Sequence, residues 1–278
     1  MNLVFQYQLE NPESDNRGQL GGMPRSLFYS QMKDVSTKSF SNYAEAIGAE
    51  YLFSDQPYFD DRVDTYLWML YDIARLWVDP YFDKYDDILY VDTDIIVNTQ
   101  ENIFDYHEGD LSGVLESDIV DDSGKQRYNP WDSNDVKYTN IALTYLKSNV
   151  PLAECHVLPP NLPSKVLCYN TGVMVWSKEG RQKAREKFDG WVGWYNNGVE
   201  LGNPSWLNND QFYISAQSIK HDLDLNFLDQ KWNDSPHYGD RNTLLKSNFL
   251  HFSGGNGKEK MMKYFDEGWF PMLKPGDL

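Results

Sequence analysis

Two aspartates, Asp92 and Asp94, flank a single threonine directly after a short apolar run over residues 88–91, which predicts a buried strand. At positions i and i+2 of an extended chain, two side chains point to the same side. Two carboxylates at such a short distance repel each other unless a cation lies between them or one of them takes a proton. Ligands of open α/β sheets bind beyond the carboxyl ends of the strands, and hard cations favour oxygen ligands. The pair therefore predicts a site for Mn²⁺ or Mg²⁺.

Other interpretations of the pair predict different chemistry. A pair of solvated turn aspartates is disfavoured by the apolar residues on both sides, since buried acids are costly. An EF-hand is excluded, because Ile96 stands at the third ligand position and no glycine follows. A phosphatase of the haloacid-dehalogenase type would use Asp92 as its nucleophile, but that family usually continues with Gly-Thr. Here Ile95 and Ile96 follow the pair instead.

Apolar periodicity predicts the elements that must position this pair. The predicted order is strand 3–7, helix 43–47, strand 51–53, helix 64–78 and strand 88–91. Gly48 is expected to cap the first helix, and Pro80 to end the second. This alternation is typical of a doubly wound α/β sheet.

The second half of the chain has a looser pattern. Residues 121–135 predict a long loop that could act as a lid. Further elements are predicted as strand 173–176, helix 178–194, helix 209–220 and strand 249–252, followed by a glycine-rich loop at 253–257. No linker is apparent, so a single domain is expected over residues 1–278. Within it, residues 1–98 and residues 99–278 are interpreted as two halves with separate binding roles.

Composition excludes several classes of partner. The formal net charge of −17 disfavours nucleic acid and anionic lipid, which attract basic surfaces. Cys155 and Cys168 are interpreted as reduced thiols, because a secreted domain held by disulfides usually carries more cysteines. No signal peptide or membrane-spanning apolar run is visible. We therefore expect a soluble, cytoplasmic protein, and the sequence leaves its oligomeric state open.

Several segments in sequence order resemble glycosyltransferase family 8, the retaining enzymes of GT-A fold that include glycogenin and bacterial galactosyltransferases. The matching segments are residues 74–76, the aspartate pair, 169–174, 209–211 and 251–258. They span most of the chain, and their order and spacing carry the resemblance. The family has a GT-A fold, a Rossmann-like α/β fold whose mixed, mostly parallel sheet is flanked by helices.

The resemblance implies roles for individual residues. It implies that His251 completes a metal site with Asp92 and Asp94, and that Lys258 meets the diphosphate. The remaining donor-binding residues it implies are Arg75, Thr93, Gly172 and Gly254. Asn170, Asp210 and Gln211 are implied to orient the transferred sugar as catalytic residues. Beyond the first strand, Gln6, Tyr7 and Gln8 lie where the family offers side chains to the nucleotide base.

Each segment alone also has a structural explanation. Arg75 could be an ion-paired helix residue, and an isolated Asn-x-Gly such as residues 170–172 is commonly a turn. Asn209 or Asp210 could cap a helix, and His251 could be a satisfied core histidine. The role of Asp210 as nucleophile, base or sugar contact stays open.

The combined expectation is a metal-dependent glycosyltransferase. It would move a sugar from a nucleotide-diphosphate sugar, with UDP favoured, to an unidentified carbohydrate or glycoconjugate acceptor, with retention. A non-catalytic carbohydrate-binding protein and the phosphatase are the alternatives.

Overall fold

The computed structural model describes residues 1–9, 18–59, 66–115, 169–200, 209–235, 246–273 and 276. The loop predicted over residues 121–135 and both cysteines, Cys155 and Cys168, lie outside these residues.

The described elements are short strands joined by helices and 3-10 turns. The strands are β1 Leu3–Tyr7, β2 Gln19–Leu20, β3 Met23–Pro24, β4 Glu50–Ser54, β5 Asp87–Val91, β6 Ile95–Val97, β7 Leu111–Leu115, β8 Tyr169–Ser177, β9 Leu225–Phe227 and β10 Phe249–His251. The α-helices are α1 Arg25–Ile47, α2 Arg75–Val78, α3 Lys178–Lys187, α4 Trp191–Glu200, α5 Asp210–Lys220 and α6 Gly254–Asp266. The 3-10 helices are Tyr66–Ala74, Pro80–Lys84, Ile103–Tyr106 and Gln230–Trp232.

A six-stranded sheet in the order β4-β1-β5-β8-β7-β9 forms the centre of the molecule. The pairs β4–β1, β1–β5 and β7–β9 are parallel, whereas β8 runs antiparallel to both β5 and β7. All strands except β8 therefore point the same way. The predicted mixed, mostly parallel sheet of a single α/β domain is confirmed.

The two faces of this sheet are covered by different apolar clusters. Alternating residues of β5 divide between them, with Tyr90 in one cluster and Val91 in the other. The Tyr90 face packs against residues of α2, α4 and α5, and the Val91 face against α1. A chain leaving β5 thus reaches the sheet edge between these two covering layers.

A second, two-stranded sheet joins β6 to β10 in antiparallel register, with Ile95 opposite His251. Ile96 and Leu250 of this sheet lie in a third apolar cluster with residues of α1 and α6, including Met261 and Phe265. The small sheet brings residues 95–97 next to a strand near the other end of the sequence.

The predicted strands are present, but two of the predicted helices differ. Residues 66–74 form a 3-10 helix rather than the predicted α-helix. The sequence pattern does not separate the two, because an apolar repeat at i and i+3 suits either geometry. The helix predicted over 178–194 is two helices, interrupted at residues 188–190 where Phe188 is extended. Gly190, a residue that disfavours helix, marks the interruption.

The glycine-rich segment predicted as a loop at residues 253–257 is wrong in part, since residues 254–257 form the first turn of α6. Met261 and Phe265, four residues apart, are buried on the inner face of this helix. This packing outweighs the low helix propensity of the glycines.

Among the described residues, no helix combines the length and apolar character required to cross a bilayer.

Candidate metal and donor site

The aspartate pair lies in the turn that carries the chain from the central sheet to the small sheet. The extended geometry expected for residues 92–94 is wrong, because the chain must turn to pass from β5 to β6. Both ends of the turn are anchored to the backbone. The N–H of Asp92 donates to Gly172 O at 2.9 Å, and the O of Asp94 accepts from the N–H of Phe252 at 2.8 Å.

The register between β6 and β10 places His251 beside Asp94. Nε2 of His251 lies 3.3 Å from Oδ1 of Asp94, and both side chains are buried. One ligand atom from each of Asp92, Asp94 and His251 can be chosen so that all lie within 4.8 Å of one another. These three residues are the ones predicted from the sequence to hold a metal.

The two carboxylates have different electrostatic environments. Burial opposes ionisation of Asp94, but the ammonium of Lys258, which contacts Oδ2, and the His251 imidazole hold its pKa well below the usual range. Burial and the neighbouring Asp94 raise the pKa of Asp92. The hydroxyl of Tyr90 donates to Oδ1 of Asp92 at 2.6 Å. Asp94 is therefore the more firmly ionised ligand, and one oxygen of Asp92 has a fixed partner.

Side chains of β1 and the residue after it support the turn. Nε2 of Gln6 donates to the O of Asp92 at 3.1 Å, while its Oε1 accepts from Tyr51 at 2.8 Å. The hydroxyl of Thr93 donates to Oε1 of Gln8 at 2.7 Å. Gln6 is fully buried. Through these contacts Gln6 and Gln8 support the turn that carries Asp92 and Thr93.

Asp210 and Gln211 are the first two residues of α5. Asn209 performs the capping, since its Oδ1 accepts from the N–H of Phe212 at 3.1 Å. Burial, followed by the charge of Asp92, raises the pKa of Asp210 to about 7, although Thr171 donates to its carboxyl group. The structure therefore brings a buried carboxyl group close enough to Asp92 for the two charges to interact.

Asn170 and Gly172 lie at the start of β8 and face the His251 side of the site. Oδ1 of Asn170 accepts from the N–H of Gly172 at 3.1 Å and from Nδ2 of Asn233 at 2.8 Å. A Cβ on Gly172 would lie 2.5 Å from Cε1 of His251. The close approach that requires glycine here is that of the imidazole ring.

The contacts of Arg75 are with residues other than the three candidate metal ligands. Its Nη1 donates to the Ser54 hydroxyl at 2.8 Å and lies 3.4 Å from Oδ2 of Asp72. Its guanidinium also lies 5.5 Å from the ring centres of Phe5 and Tyr58. It is thus an ion-paired residue that holds the segment following β4.

Glycine 254 begins α6 with φ of +73°, a left-handed conformation that favours glycine. Lys258 lies one turn further along the helix and reaches Asp94. The site therefore combines a helix N-terminus and a lysine, both of which favour a bound anion.

The donor set fits a divalent ion. Nδ1 of His251 is 2.9 Å from Oδ1 of Asn233, which leaves Nε2 on the side of the carboxylates. Two carboxylates and an imidazole suit Mn²⁺ and are compatible with Mg²⁺. The Asn233 contact was not anticipated from the sequence, where a lone asparagine outside any motif gives no signal.

The fold identifies the architectural class. No protein-family model and no curated protein matches this sequence. The chain has the GT-A fold, the α/β fold of nucleotide-sugar-dependent glycosyltransferases, as comparison with solved structures shows. An active-site mutant of LgtC matches with a TM-score of 0.50 and 11% identity, covering 100% of both chains.

Two further solved structures are similar over nearly the whole chain. The galactosyltransferase LgtC in complex with donor and acceptor sugar analogues matches with a TM-score of 0.49 and 12% identity, covering 100% of both chains. A glycosyltransferase involved in glycosylation of the major capsid of PBCV-1 matches with a TM-score of 0.49 and 10% identity, covering 94% of this chain and 98% of the other. At such identities the likeness concerns the fold, and function must be argued from the site.

Proposed function

We propose that this chain is a metal-dependent glycosyltransferase that moves a sugar from a nucleotide-diphosphate sugar to an acceptor. The observation that carries the proposal is the convergence of Asp92, Asp94 and His251 beyond the end of β5, with Lys258 on the same carboxylate. Ligands of open α/β sheets bind at this edge. The GT-A fold supports the same activity by analogy.

Asp92, Asp94 and His251 would hold Mn²⁺ or Mg²⁺. When bound, the ion would offset the negative charge that develops on the diphosphate as it leaves. Lys258 contributes a second positive charge, directed by α6 toward the same place. In a chain of net charge −17, such a cationic centre would offset the repulsion between acidic side chains and a dianionic donor.

Asp210 and Gln211 would bind the transferred sugar. Asp210 is suited to this because its buried carboxyl group accepts a hydrogen bond from Thr171 and is close enough to Asp92 for the two charges to interact. With a pKa of about 7, its carboxyl group can either donate a hydrogen bond to a sugar hydroxyl or accept one from it near neutral pH. Asn170 and Gly172 would form the neighbouring wall, and Thr93 and Gly254 would present polar groups and backbone to the donor.

UDP as the nucleotide, retention of configuration, and division into a donor half (1–98) and an acceptor half (99–278) belong to the same proposal. They are supported by the resemblance of residues 74–76, 169–174, 209–211 and 251–258 to glycosyltransferase family 8. Arg75 is assigned to the donor by that resemblance. Its contacts with Ser54 and Asp72 give it a supporting position at the sheet edge.

The test of the donor site is isothermal titration of UDP with and without Mn²⁺. We expect tight binding only with metal, and its loss in the double variant Asp92→Asn/Asp94→Asn. Asp105→Asn, an exposed aspartate in the 3-10 helix Ile103–Tyr106, is the matched control and should bind as wild type does. Circular dichroism establishes that each variant folds. UDP binding that ignores both metal and the double substitution would contradict the site.

Turnover separates this function from its alternatives. Incubation with UDP-sugars, Mn²⁺ and a panel of sugar acceptors should release UDP and form a glycoside. A carbohydrate-binding protein would retain sugar without releasing nucleotide. A phosphatase would hydrolyse phosphomonoesters without an acceptor and lose that activity in Asp92→Asn.

A further inference from the structure

The imidazole of His251 has two nitrogens, and only one of them faces the carboxylates. Nε2 lies 3.3 Å from Oδ1 of Asp94, whereas Nδ1 lies 2.9 Å from Oδ1 of Asn233. A neutral imidazole carries its proton on one nitrogen, and only the other has a lone pair for a metal. The partner of Nδ1 therefore decides whether His251 can act as a ligand.

The direction of the hydrogen bond at Nδ1 can be traced to a backbone N–H, which can only donate. The N–H of Gly172 donates to Oδ1 of Asn170 at 3.1 Å, so the oxygen end of that amide faces Gly172. Nδ2 of Asn233 donates to the same oxygen at 2.8 Å. Asn233 must then turn its own oxygen toward His251, and Nδ1 of His251 must be the donor.

This chain of amides is held rigidly inside the protein. Asn233 is fully buried, and Asn170 and His251 are 8% and 4% exposed. The N–H of Asn233 donates to the O of Gln230 at 2.9 Å, directly after the 3-10 helix that carries the buried Trp232. Reversal of either amide would place two donors or two acceptors against each other in a buried site, which is costly.

We propose that Asn233 is a positioning residue for the metal centre. Through Asn170 and Gly172 it keeps His251 in the Nδ1–H tautomer and leaves the Nε2 lone pair directed at the carboxylates. The opposite tautomer would donate from Nε2 to Asp94 and remove the third ligand. The link to metal rests on the proposed function, whereas the tautomer is a property of the metal-free chain.

The proton on Nδ1 is tested by long-range ¹H–¹⁵N correlation spectra of metal-free, ¹⁵N-histidine-labelled protein. The signals that disappear in His251→Gln belong to His251. We expect a protonated Nδ1 in wild type and in Asn233→Asp, whose carboxylate still accepts. In Asn233→Leu, which keeps the branched shape but offers no acceptor, the proton should move to Nε2. An unprotonated Nδ1 in wild type, or an unchanged spectrum in Asn233→Leu, would overturn the proposal.

Metal affinity gives the second readout, measured as Mn²⁺ binding by electron paramagnetic resonance. Loss of an outer-shell partner of a ligating histidine usually weakens binding about 10–100-fold, and we expect this for Asn233→Leu. Asn233→Asp should lose less affinity than Asn233→Leu, because it keeps the acceptor at Nδ1 although its second oxygen faces Oδ1 of Asn170. Asn248→Leu is the control, since this buried asparagine near His251 donates to Glu101 instead.

The two proposals fail in different ways. If wild type shows the Nδ1–H tautomer but binds no Mn²⁺, the proposed function fails and the role of Asn233 in setting the tautomer stands. Thermal unfolding establishes that Asn233→Leu is folded. If wild type binds Mn²⁺ and the folded Asn233→Leu variant binds it equally well, the positioning role fails and the metal site stands.

Discussion

At the scale of single residues, the ammonium of Lys258 occupies the same carboxylate that is proposed to bind a metal. Its charge favours the ionised form of Asp94 and also repels a divalent ion. The same charge attracts the diphosphate of a donor. One residue therefore affects metal binding and nucleotide binding with opposite signs.

Lys258→Met separates these two effects. In the absence of nucleotide we expect Mn²⁺ to bind several-fold more tightly, because a repelling charge is removed. UDP affinity in saturating Mn²⁺ should fall by about 10-fold, the typical weight of one charged contact. Titrations of both ligands check the prediction. Lys263→Met, on an exposed part of the same helix, should change neither, and a parallel loss of both affinities would contradict the opposed signs.

Asp210 makes stability depend on pH. Its folded-state pKa of about 7 lies above the unfolded value of about 3.9. The folded state therefore holds this proton more tightly, and the resulting stability is present below about pH 4 and lost as pH rises toward 7. In Asp210→Asn this loss should vanish, so the metal-free variant should exceed wild type in stability at pH 7.5, by on the order of 1–4 kcal/mol.

Urea unfolding in EDTA between pH 4.5 and 8 measures this dependence. Asp266→Asn, at the exposed end of α6, should keep the wild-type slope. Equal slopes in wild type and Asp210→Asn would show that Asp210 ionises in the folded state as it does in the unfolded chain.

At this scale the sequence predicted the residues that converge but not those that hold them. Asp92, Asp94 and His251 belong to recognisable spacings, and the structure brings them together. Asn233 was missed because its contact with His251 depends on how the chain folds after β9. The resemblance placed Gln6 near the nucleotide base, and its hydrogen bond to the backbone oxygen of Asp92 was not anticipated.

At the scale of elements, Arg181 joins α3 to the segment before β5. It is 1% exposed, and its guanidinium donates to the backbone oxygens of Trp176 at 2.8 Å and Tyr85 at 2.6 Å. Burial lowers its pKa to about 10, so it stays charged at neutral pH. This cation donates to buried carbonyl groups of β8 and of the segment before β5.

Arg181→Met should lower the free energy of unfolding by about 2–4 kcal/mol, because it removes buried hydrogen bonds from a charged donor. Arg181→Lys should recover part of the loss. Arg185, on the same helix as Arg181, pairs with Asp83 and donates to the backbone oxygen of Trp77. Because these contacts are only partly buried, Arg185→Met should cost only about 1 kcal/mol. Urea unfolding measures all three. A cost for Arg181→Met as small as that of Arg185→Met would show that the carbonyl groups find other donors.

Elements with strong apolar runs were predictable, and those defined by their contacts were not. The apolar runs 88–91 and 173–176 lie in β5 and β8 at the centre of the sheet, and both were predicted as strands. The first residues of β8, which include Asn170 and Thr171, were not. The antiparallel direction of β8 was not predictable, because it is fixed by pairing with β5, whose residues are distant from β8 in sequence. The start of α1 at Arg25 was missed, because the segment that follows lacks a clear apolar stripe and is fixed by contacts with β6 and α6.

At the scale of the whole molecule, the metal site connects the two sheets. Ion binding should therefore stabilise the entire fold, by about 2.7 kcal/mol at a concentration 100 times the dissociation constant. For a chain of this size that corresponds to a rise in Tm of roughly 5 °C. Calorimetry with Mn²⁺ should show this rise, EDTA should reverse it, and Asp94→Asn should abolish it. An equal rise in Asp94→Asn would indicate that Mn²⁺ binds elsewhere.

The pairing of β6 with β10 also has a consequence for biosynthesis. Lys258 lies 164 residues after Asp94, and His251 reaches the turn only once β10 has paired with β6. A nascent chain on the ribosome can complete its central sheet while the acidic turn still lacks its imidazole and its ammonium. Translation that stops before β10 therefore yields a product that keeps the aspartates but cannot assemble the centre, so only a chain that extends through Lys258 becomes competent.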